Sequence, residues 1–246
     1  MGATVCAAVE AAADLELVAA VDPAAAGRPA SRDVRIAGEL DALRVASAEV
    51  AVDFTVPGSA VENAVWCAAH GVHAVIGTTG LGEADLTRLA GAFPGDGVTG
   101  CLVAPNFAIG AVLMMRFAEL AAPWFDTAEI IELHHDAKVD APSGTAMATA
   151  IRMAAASDQW SEDPTRVSTV EGARGGRGPG GIRIHSVRLR GLVAHQEVLL
   201  GSEGQTLTIR HDSYDRQSFM PGVLLAVREV PSRRGLTVGL EAILGI

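Results

Sequence analysis

Cysteine and basic residues are both scarce in this chain of 246 residues. The three cysteines, Cys6, Cys67 and Cys101, lie far apart in apolar surroundings, which excludes a disulfide framework and predicts reduced core residues of a cytoplasmic protein. Lysine and arginine total 19 against 29 aspartate and glutamate residues, so the formal net charge is −10. This charge argues against nucleic acid and anionic membranes as partners, although an acidic protein can still hold a basic pocket for a small anion.

The chain also lacks a long unbroken apolar run. The longest uncharged stretch, residues 98–115, approaches the length of a membrane span, but Pro105 and Gly110 interrupt it, so we expect a strand, a turn and a helix there. The first twenty residues are apolar, yet they contain Glu10 and Asp14 and no basic residue, which is not the pattern of a signal peptide. We therefore expect a soluble protein without a membrane segment.

Short apolar segments alternate with helical segments through the first hundred residues. This alternation predicts βαβ units and a parallel sheet, in which ligands bind beyond the carboxyl ends of the strands. Asp22 follows one such strand and is suited to accept hydrogen bonds from a ribose diol, although aspartate is also common where strands stop. We expect strands over 15–21, 48–54, 72–76 and 99–103, helices over 2–13, 57–70 and 83–93, and a loop over 24–39.

After residue 109 the pattern changes to a long helix containing several methionines, followed by a strand over 128–133. A glycine-rich segment over 170–181, which includes Arg174 and Arg177, is expected to be a mobile loop. Further predicted elements are a helix over 144–156, three antiparallel strands over 182–190, 195–201 and 205–211, a helix over 223–229 and a strand over 236–240.

The stretch richest in chemistry is residues 132–146, which joins the strand ending at His134 to the helix that begins at Gly144. Ser143 is a candidate N-cap, and the backbone N–H groups of Gly144 and Thr145 would then be available to a carboxylate or phosphate. Lys138 and a histidine can supply a cation and a proton donor to the same ligand. The stretch therefore predicts a site for a small anion that is protonated during a reaction.

This stretch has three other interpretations: a metal site, a serine nucleophile and a capped helix without a catalytic role. The adjacent histidines His134 and His135 can ligate a metal, but successive strand residues face opposite ways and Lys138 would repel a cation, so no metal site is predicted. Ser143 as a nucleophile is not favoured, because no base is placed beside it by sequence spacing. A capped helix with a solvated, charged loop is the structural alternative without a catalytic role.

The stretch Glu132-Leu-His-His-x-x-Lys-x-Asp-Ala-Pro-Ser-Gly-Thr145 resembles the signature of dihydrodipicolinate reductases (4-hydroxy-tetrahydrodipicolinate reductases), which act in lysine and diaminopimelate biosynthesis. Other segments are similar to further motifs of that family: Val52-Asp-Phe-Thr55, Gly77-Thr-Thr-Gly80, Ala104 to Gly110 and Arg210-His-Asp-Ser213. The resemblance runs from Gly2 to the C-terminus. It implies an α/β fold: a Rossmann-like parallel-sheet domain (residues 1–106 plus 219–246) and an α+β domain (107–218) with a mostly antiparallel sheet for substrate binding and oligomerisation.

The resemblance also implies a role for each site residue. His134 and Lys138 would donate protons, and His135, Gly144 and Thr145 would hold the carboxylates of the substrate. The cofactor, NADH or NADPH, would contact Asp22, Gly77, Thr78, Thr79, Ala104, Pro105, Asn106 and Phe107. The substrate would be a small cyclic dicarboxylate, and the enzyme would be a cytoplasmic homotetramer without a metal ion.

The chain departs from the family pattern at its beginning. The family starts with a strand and a Gly-x-x-Gly-x-x-Gly phosphate loop, whereas here the predicted helix begins at Gly2, so we expect the native protein to be longer at its N-terminus. Two further functions stay open at this point. One is a related nicotinamide-dependent imine or keto-acid reductase, and the other is a non-catalytic oligomeric relative that has lost cofactor binding.

Overall fold

A computed structural model describes residues 1–246 and divides them into two compact units. The first unit comprises Met1–Ile109 and Arg216–Ile246, and the second comprises Gly110–Asp215. The eight α-helices are α1 (Gly2–Ala11), α2 (Asp41–Val45), α3 (Pro57–Ala69), α4 (Glu83–Ala92), α5 (Ile109–Ala121), α6 (Gly144–Ala156), α7 (Met220–Glu229) and α8 (Glu241–Leu244). The eleven strands are β1 (Ala20–Val21), β2 (Ile36–Ala37), β3 (Val50–Asp53), β4 (His73–Ile76), β5 (Gly100–Val103), β6 (Thr127–His134), β7 (Gly176–Arg177), β8 (Arg183–Arg188), β9 (Ala194–Ser202), β10 (Gln205–Ser213) and β11 (Gly235–Val238).

The first unit is built on a four-stranded sheet with the order β11-β5-β4-β3, in which every pair of neighbours is parallel. This arrangement confirms the predicted Rossmann-like parallel sheet. Helices α3 and α4 bury Val61 and Leu89 against Ile76 of β4 and Val103 of β5, and all four side chains are buried. Continuous burial of the central strands explains why their sequences are apolar throughout and do not alternate.

Local signals start the helices of this unit. Pro57 occupies the first turn of α3, where its missing N–H costs no hydrogen bond. Asp85 accepts a hydrogen bond of 2.9 Å from the Gly82 N–H at the mouth of α4.

All three cysteines are free, and burial raises the pKa of Cys67 and Cys101 to about 12, so these two thiols stay protonated at neutral pH.

The prediction of a long strand over residues 15–21 is wrong. Only Ala20–Val21 is a strand, and it pairs in parallel with Ile36–Ala37 in a separate two-stranded sheet. A strand needs a hydrogen-bonded neighbour along its length, and β2 offers two residues. The expected loop over 24–39 therefore contains a strand, and the short helix Asp41–Val45 that follows was not predicted.

The second unit contains a five-stranded mixed sheet with the order β10-β9-β6-β8-β7. Strand β9 pairs antiparallel with β10 and with β6, as predicted for a mostly antiparallel sheet. Strand β8 also runs antiparallel to β9, as expected, but the two strands do not pair, because β6 lies between them and is parallel to β8. The chain reaches β8 from β6 through helix α6, and a helical crossover of this kind returns the chain in the parallel direction.

The glycine-rich segment over 170–181 is packed against β8, where a mobile loop was expected. Its residues Gly176–Arg177 form β7, which pairs antiparallel with β8. A Cβ atom on Gly175 would lie 2.6 Å from the Ile184 carbonyl oxygen, and one on Gly178 would lie 2.8 Å from Ile184 Cδ1. The glycines therefore permit close approach to β8, a packing role that composition alone does not distinguish from flexibility.

Gly100 provides a test of the packing in the first unit. A Cβ atom there would lie 2.0 Å from the Arg233 carbonyl oxygen and 2.7 Å from that of Val230. Because both neighbours are backbone atoms, we expect Gly100→Ala to lower the free energy of unfolding by about 1–3 kcal/mol or more. The control is Gly91→Ala in α4, where a Cβ atom meets nothing within 4 Å. That change should raise stability by about 0.5–1 kcal/mol in thermal unfolding, and equal effects of the two substitutions would contradict this account.

Candidate active site

Two titratable side chains lie next to each other on one face of β6 in the second unit. Residues two apart in a strand share a face, so Glu132 and His134 lie side by side. The Glu132 side chain is completely buried, and its Oε2 lies 2.6 Å from His134 Nδ1. Arg188 of the neighbouring strand β8 donates to both carboxylate oxygens, with Nη1 2.8 Å from Oε2 and Nη2 2.8 Å from Oε1. This two-pronged ion pair compensates the buried charge.

The same ion pair is bonded to the segment that joins β6 to α6. The Ser143 N–H donates to Glu132 Oε1 at 3.2 Å, and Arg188 Nη2 donates to the Asp140 carbonyl oxygen at 2.7 Å. The Ala141–Pro142 peptide bond between these two contacts is cis. The last part of the connection, from Asp140 to Ser143, is therefore held by one arginine–carboxylate pair.

The mouth of helix α6 has the form expected of an anion site. Ser143 is its N-cap, as predicted, and its Oγ accepts a hydrogen bond of 3.2 Å from the Ala146 N–H. The N–H groups of Gly144 and Thr145 belong to the first turn, where no intrahelical acceptor exists. A Cβ atom on Gly144 would meet nothing within 4 Å, so the space above this backbone is open to a ligand.

Lys138 is the only lysine in the chain. Its Nζ lies 2.7 and 2.8 Å from the two carboxylate oxygens of Asp140. The Lys138 side chain is 20% exposed and that of Asp140 is 60% exposed, so the pair faces solvent and is only weakly stabilising. A carboxylate of a ligand can replace Asp140 at this ammonium group at little cost.

The electrostatics of the site act on His134 in opposing directions. Burial lowers the pKa of His134, and the positive charges of Lys138 and Arg188 lower it further, while the hydrogen bond to Glu132 and its negative charge raise it; the net pKa lies below the ordinary value of 6.5. Burial alone would raise the pKa of Glu132, but hydrogen bonds from Arg188, Ser186 and His134 outweigh it and hold that pKa below 4.5. Glu132 is therefore ionised and His134 mostly neutral in the free protein at neutral pH.

His135 differs from its neighbour because it lies beyond the end of β6 on an exposed turn. Its carbonyl oxygen accepts a hydrogen bond of 3.2 Å from the Lys138 N–H, which closes that turn. The structure contains no group of three histidine, cysteine, aspartate or glutamate side chains arranged to hold a metal ion.

The predicted cofactor residues of the first unit lie at the carboxyl ends of β4 and β5, which are neighbours in the sheet. Thr78 is buried, with Oγ1 3.5 Å from Asp53 Oδ1, whereas Thr79 is exposed. A Cβ atom on Gly77 would lie 2.1 Å from the Phe54 ring, so only glycine allows this ring to cover the backbone there. The adjacent strand end carries Ala104, Pro105, Asn106 and Phe107.

At the end of β5, main-chain groups are more accessible to a ligand than side chains. The side chains of Ala104 and Phe107 are buried, so a ligand can reach these residues only through the main chain. Pro105 is exposed, and Asn106 Oδ1 accepts a hydrogen bond of 2.9 Å from the Ala108 N–H, which shapes the turn before α5. Small residues and main-chain donors of this kind suit the phosphates and riboses of a dinucleotide.

Asp22 is not part of the same sheet edge. It follows β1 in the two-stranded sheet, is exposed, and caps the short 3₁₀ helix Pro23–Ala25 by accepting a hydrogen bond of 2.9 Å from the Ala24 N–H. One of its carboxylate oxygens is thus used locally. The structure joins residues 77–79 with 104–107 at one sheet edge and leaves Asp22 just beyond the end of a different sheet.

Sequence reasoning missed Glu132 and Arg188 as site residues. Glu132 carried a signal, because it precedes His134 by two positions on a predicted strand and therefore shares its face. Arg188 carried none, since it lies 56 residues from Glu132 and reaches the site through the register of β6 with β8, in which His134 pairs with Arg188.

Known proteins match the chain over nearly its full length. The models for the N-terminus and the C-terminus of dihydrodipicolinate reductase match residues 1–107 and 110–244. The 4-hydroxy-tetrahydrodipicolinate reductase of Cutibacterium acnes is 51% identical over 248 residues, which cover 100% of this chain and 95% of that protein. The enzyme of the same name from Nocardia farcinica is 52% identical over 249 residues, with the same coverage.

The chain belongs to the dihydrodipicolinate reductase family. A solved structure of dipicolinate-bound dihydrodipicolinate reductase from Paenisporosarcina sp. TG-14 is 44% identical, covers 98% of this chain and 94% of its own, and superposes with a TM-score of 0.88. The fold inferred from the sequence resemblance is thereby confirmed. As a member of this family the chain is an oxidoreductase that uses NADH or NADPH.

The capping of α6 can be tested in this reductase. Ser143→Ala removes the acceptor for the Ala146 N–H and should lower the free energy of unfolding by about 0.5–2 kcal/mol. The control is Ser157→Ala at the other end of α6, where the Ser157 Oγ accepts one long hydrogen bond of 3.4 Å from the Gln159 N–H. Thermal unfolding should show no loss for that control. A stability of Ser143→Ala equal to that of the parent would show that the cap does not hold the helix mouth.

Proposed function

We propose that this chain reduces 4-hydroxy-tetrahydrodipicolinate to tetrahydrodipicolinate, a step of lysine and diaminopimelate biosynthesis, with His134 and Lys138 as proton donors. The observation that carries this proposal is the position of both groups beside the open mouth of α6, within twelve residues of sequence. Family membership supports the activity, and the geometry supports the roles of the individual residues.

The mouth of α6 is the proposed site for the substrate carboxylates. The N–H groups of Gly144 and Thr145 point out of the helix N-terminus, where the helix dipole favours negative charge. Lys138 adds a positive charge, and the exposed His135 can donate a further hydrogen bond. A ligand with two carboxylates uses several of these donors at once, which favours a cyclic dicarboxylate over a monocarboxylate keto acid.

His134 is the proposed proton donor to the ring of the substrate. Glu132 is ionised and accepts from Nδ1, so Nε2 is the ring nitrogen available to exchange a proton with a ligand. The nicotinamide, when bound, supplies a hydride, which brings two electrons and one hydrogen. The conversion of 4-hydroxy-tetrahydrodipicolinate to tetrahydrodipicolinate consumes this hydride and one proton and releases the 4-hydroxyl group as water. His134 or Lys138 delivers the proton at the developing negative charge.

The negative charge of the substrate favours the protonated form of His134. In the free protein the pKa of His134 is lowered by burial and by the cations Lys138 and Arg188. A bound dianion supplies negative charge beside the ring and favours the imidazolium form. Binding of substrate is therefore accompanied by proton uptake, so that His134 carries its proton only when there is a ligand to receive it.

The cofactor is assigned to the first unit. Gly77, Thr78 and Thr79, with residues 104–107, lie at the carboxyl ends of two adjacent parallel strands, where such folds bind nucleotides. The Phe54 ring over Gly77 and the buried Thr78 hydroxyl give this edge a fixed shape. Asp22 is the proposed partner of the adenosine ribose, through the carboxylate oxygen that does not cap the 3₁₀ helix.

Assembly into a homotetramer is supported by the sheet of the second unit. The face of this sheet opposite Glu132 and His134 contains apolar side chains that are only half-buried: Ile131, Leu133, Val187 and Leu199. Such a face is typical of a surface that pairs with another copy of the chain.

The cytoplasmic location and the absence of nucleic-acid and membrane partners stay predictions. None of the helices combines the length and the apolar character needed to cross a lipid bilayer.

The proton-donor roles predict a specific kinetic loss. Replacing His134 with Gln, or Lys138 with Cys, should lower kcat by about 10²–10⁴-fold, because a general acid typically contributes that much. NADH affinity, measured by fluorescence titration, should stay near the parental value. The control is His70→Gln, which changes an exposed histidine of the first unit. Parental turnover in both variants would refute the assignment.

Because Lys138 is the only lysine, amine methylation followed by intact mass measurement reports on it directly. Dipicolinate, a planar dicarboxylate, should protect one of two reactive amines in the parent, the other being the α-amino group. Lys138→Cys should show no protected amine. Reductase activity without such protection would leave the activity standing and overturn the carboxylate contact.

The role of Asp22 predicts cofactor preference. Its carboxylate should accept from the ribose hydroxyls of NADH and repel the 2′-phosphate of NADPH, while Arg28 is near enough in sequence to soften that repulsion. We expect both cofactors to be used, with NADH preferred, and Asp22→Ala to shift kcat/KM toward NADPH. Glu16→Ala is a control for the loss of an acidic residue in the same region. A strong preference of the parent for NADPH would exclude Asp22 as the discriminating residue.

A further inference from the structure

The Glu132 carboxylate accepts hydrogen bonds from three different parts of the second unit: β6, β8 and the residue that caps α6. Its Oε2 faces His134 Nδ1 at 2.6 Å and Arg188 Nη1 at 2.8 Å, and its Oε1 faces Arg188 Nη2 at 2.8 Å and the Ser143 N–H at 3.2 Å. The acceptor sites of a carboxylate are thus all used. No other carboxylate in the structure is completely buried.

We infer that Glu132 and Arg188 are positioning residues for the reduction, which orient His134 toward the ligand and hold the mouth of α6 beside it. The inference rests on the proposed function of His134 as proton donor. Neither residue is assigned a contact with substrate or cofactor. They act through His134, through Ser143 and through the Asp140 backbone.

The contact with Glu132 sets the tautomer of His134. A buried carboxylate without a partner would take up a proton, and it would then no longer be an obligatory acceptor. The two-pronged contact of Arg188 keeps Glu132 ionised, so His134 must place its Nδ1 hydrogen on Glu132 Oε2. Nε2 is then left for the ligand, as a carboxylate orients the imidazole in other acid–base sites.

Glu132 and Arg188 also set the distance between the proposed acid and the anion site. Ser143 begins α6, and its N–H is held by Glu132 Oε1, while the Asp140 carbonyl is held by Arg188. The same two side chains therefore fix the helix mouth and the imidazole relative to each other. Misplacement of a catalytic group by about 1 Å can cost on the order of 10²-fold in rate.

The charged groups that face His134 are Glu132 on β6, Arg188 on β8 and Lys138 on the following turn. Glu132 is the only one of the three that raises the pKa of His134. Removing its charge must therefore lower that pKa, and the population of imidazolium at a given pH must fall. A residue with a purely structural role would change stability without moving this titration.

The experiment compares Glu132→Gln and Arg188→Lys in the full-length chain. Glu132→Gln keeps the shape of the side chain and should move the alkaline limb of the kcat/KM profile to lower pH. It should also lower the pKa of His134 in an NMR titration, where His134→Gln identifies the signal. Arg188→Lys keeps the charge but loses the fork, and should lower kcat about 10–100-fold, with a smaller movement of the pH limb.

The matched controls are Asp136→Asn and Arg190→Lys, which alter an arginine–carboxylate pair at the exposed end of the same connection (Arg190 Nε to Asp136 Oδ2, 2.8 Å). They should leave kcat and the pH profile at the parental values. Circular dichroism checks that each variant is folded, and if Glu132→Gln does not fold, Arg188→Lys and Glu132→Asp give the kinetic comparison.

Two outcomes would overturn the inference: an unchanged His134 titration in folded Glu132→Gln, or a kcat of Arg188→Lys equal to that of Arg190→Lys. Failure of the proposed function is distinguishable from both. In that case the parent itself would show no reduction of the dicarboxylate substrate with NADH or NADPH, while the NMR titration of His134 would still report on Glu132.

Discussion

The ion pair between Glu132 and Arg188 is the interaction on which the second unit's site depends. Burying a carboxylate is costly, and removing one partner of such a pair commonly costs about 3–5 kcal/mol, because the other charge is left uncompensated. Replacing the whole pair with apolar side chains is often neutral or stabilising. Stability alone therefore does not explain its presence. Apolar side chains cannot accept hydrogen bonds. The Glu132 carboxylate accepts them at one point from a histidine ring, from the N-cap residue of a helix and from an arginine of the neighbouring strand.

The two units supply different kinds of chemical group. In the first, parallel strands end in glycine, threonine, alanine and proline, whose small or rigid side chains leave main-chain groups accessible. In the second, a mixed sheet and one helix mouth present an imidazole, an ammonium group and N–H donors. Hydride transfer needs a cofactor held in a defined orientation, for which main-chain contacts suffice. Proton transfer needs titratable side chains with tuned pKa values, and these require charged neighbours that only side chains provide.

The parts of the fold that sequence predicts well are those whose causes lie within a few residues. The N-cap Ser143 and the bounds of helix α6 follow from local capping and composition, and both were predicted as found. The pairing of β8 with β6 and the shortness of β1 were not predicted, because they depend on which strands become neighbours. The packing of Gly175 and Gly178 on β8 depends likewise on a distant partner, so their composition suggested mobility.

The choice of cation at each position shows how the site separates two tasks. Of the 19 basic residues in the chain, Lys138 is the one lysine, and the other 18 are arginines. Arginine stays charged at any physiological pH, so Arg188 can hold Glu132 ionised through every step of a reaction. Lysine is the basic side chain that can give up a proton when its surroundings favour the amine. A permanent charge therefore lies beside the buried carboxylate, and the proposed function uses the one lysine as a proton donor.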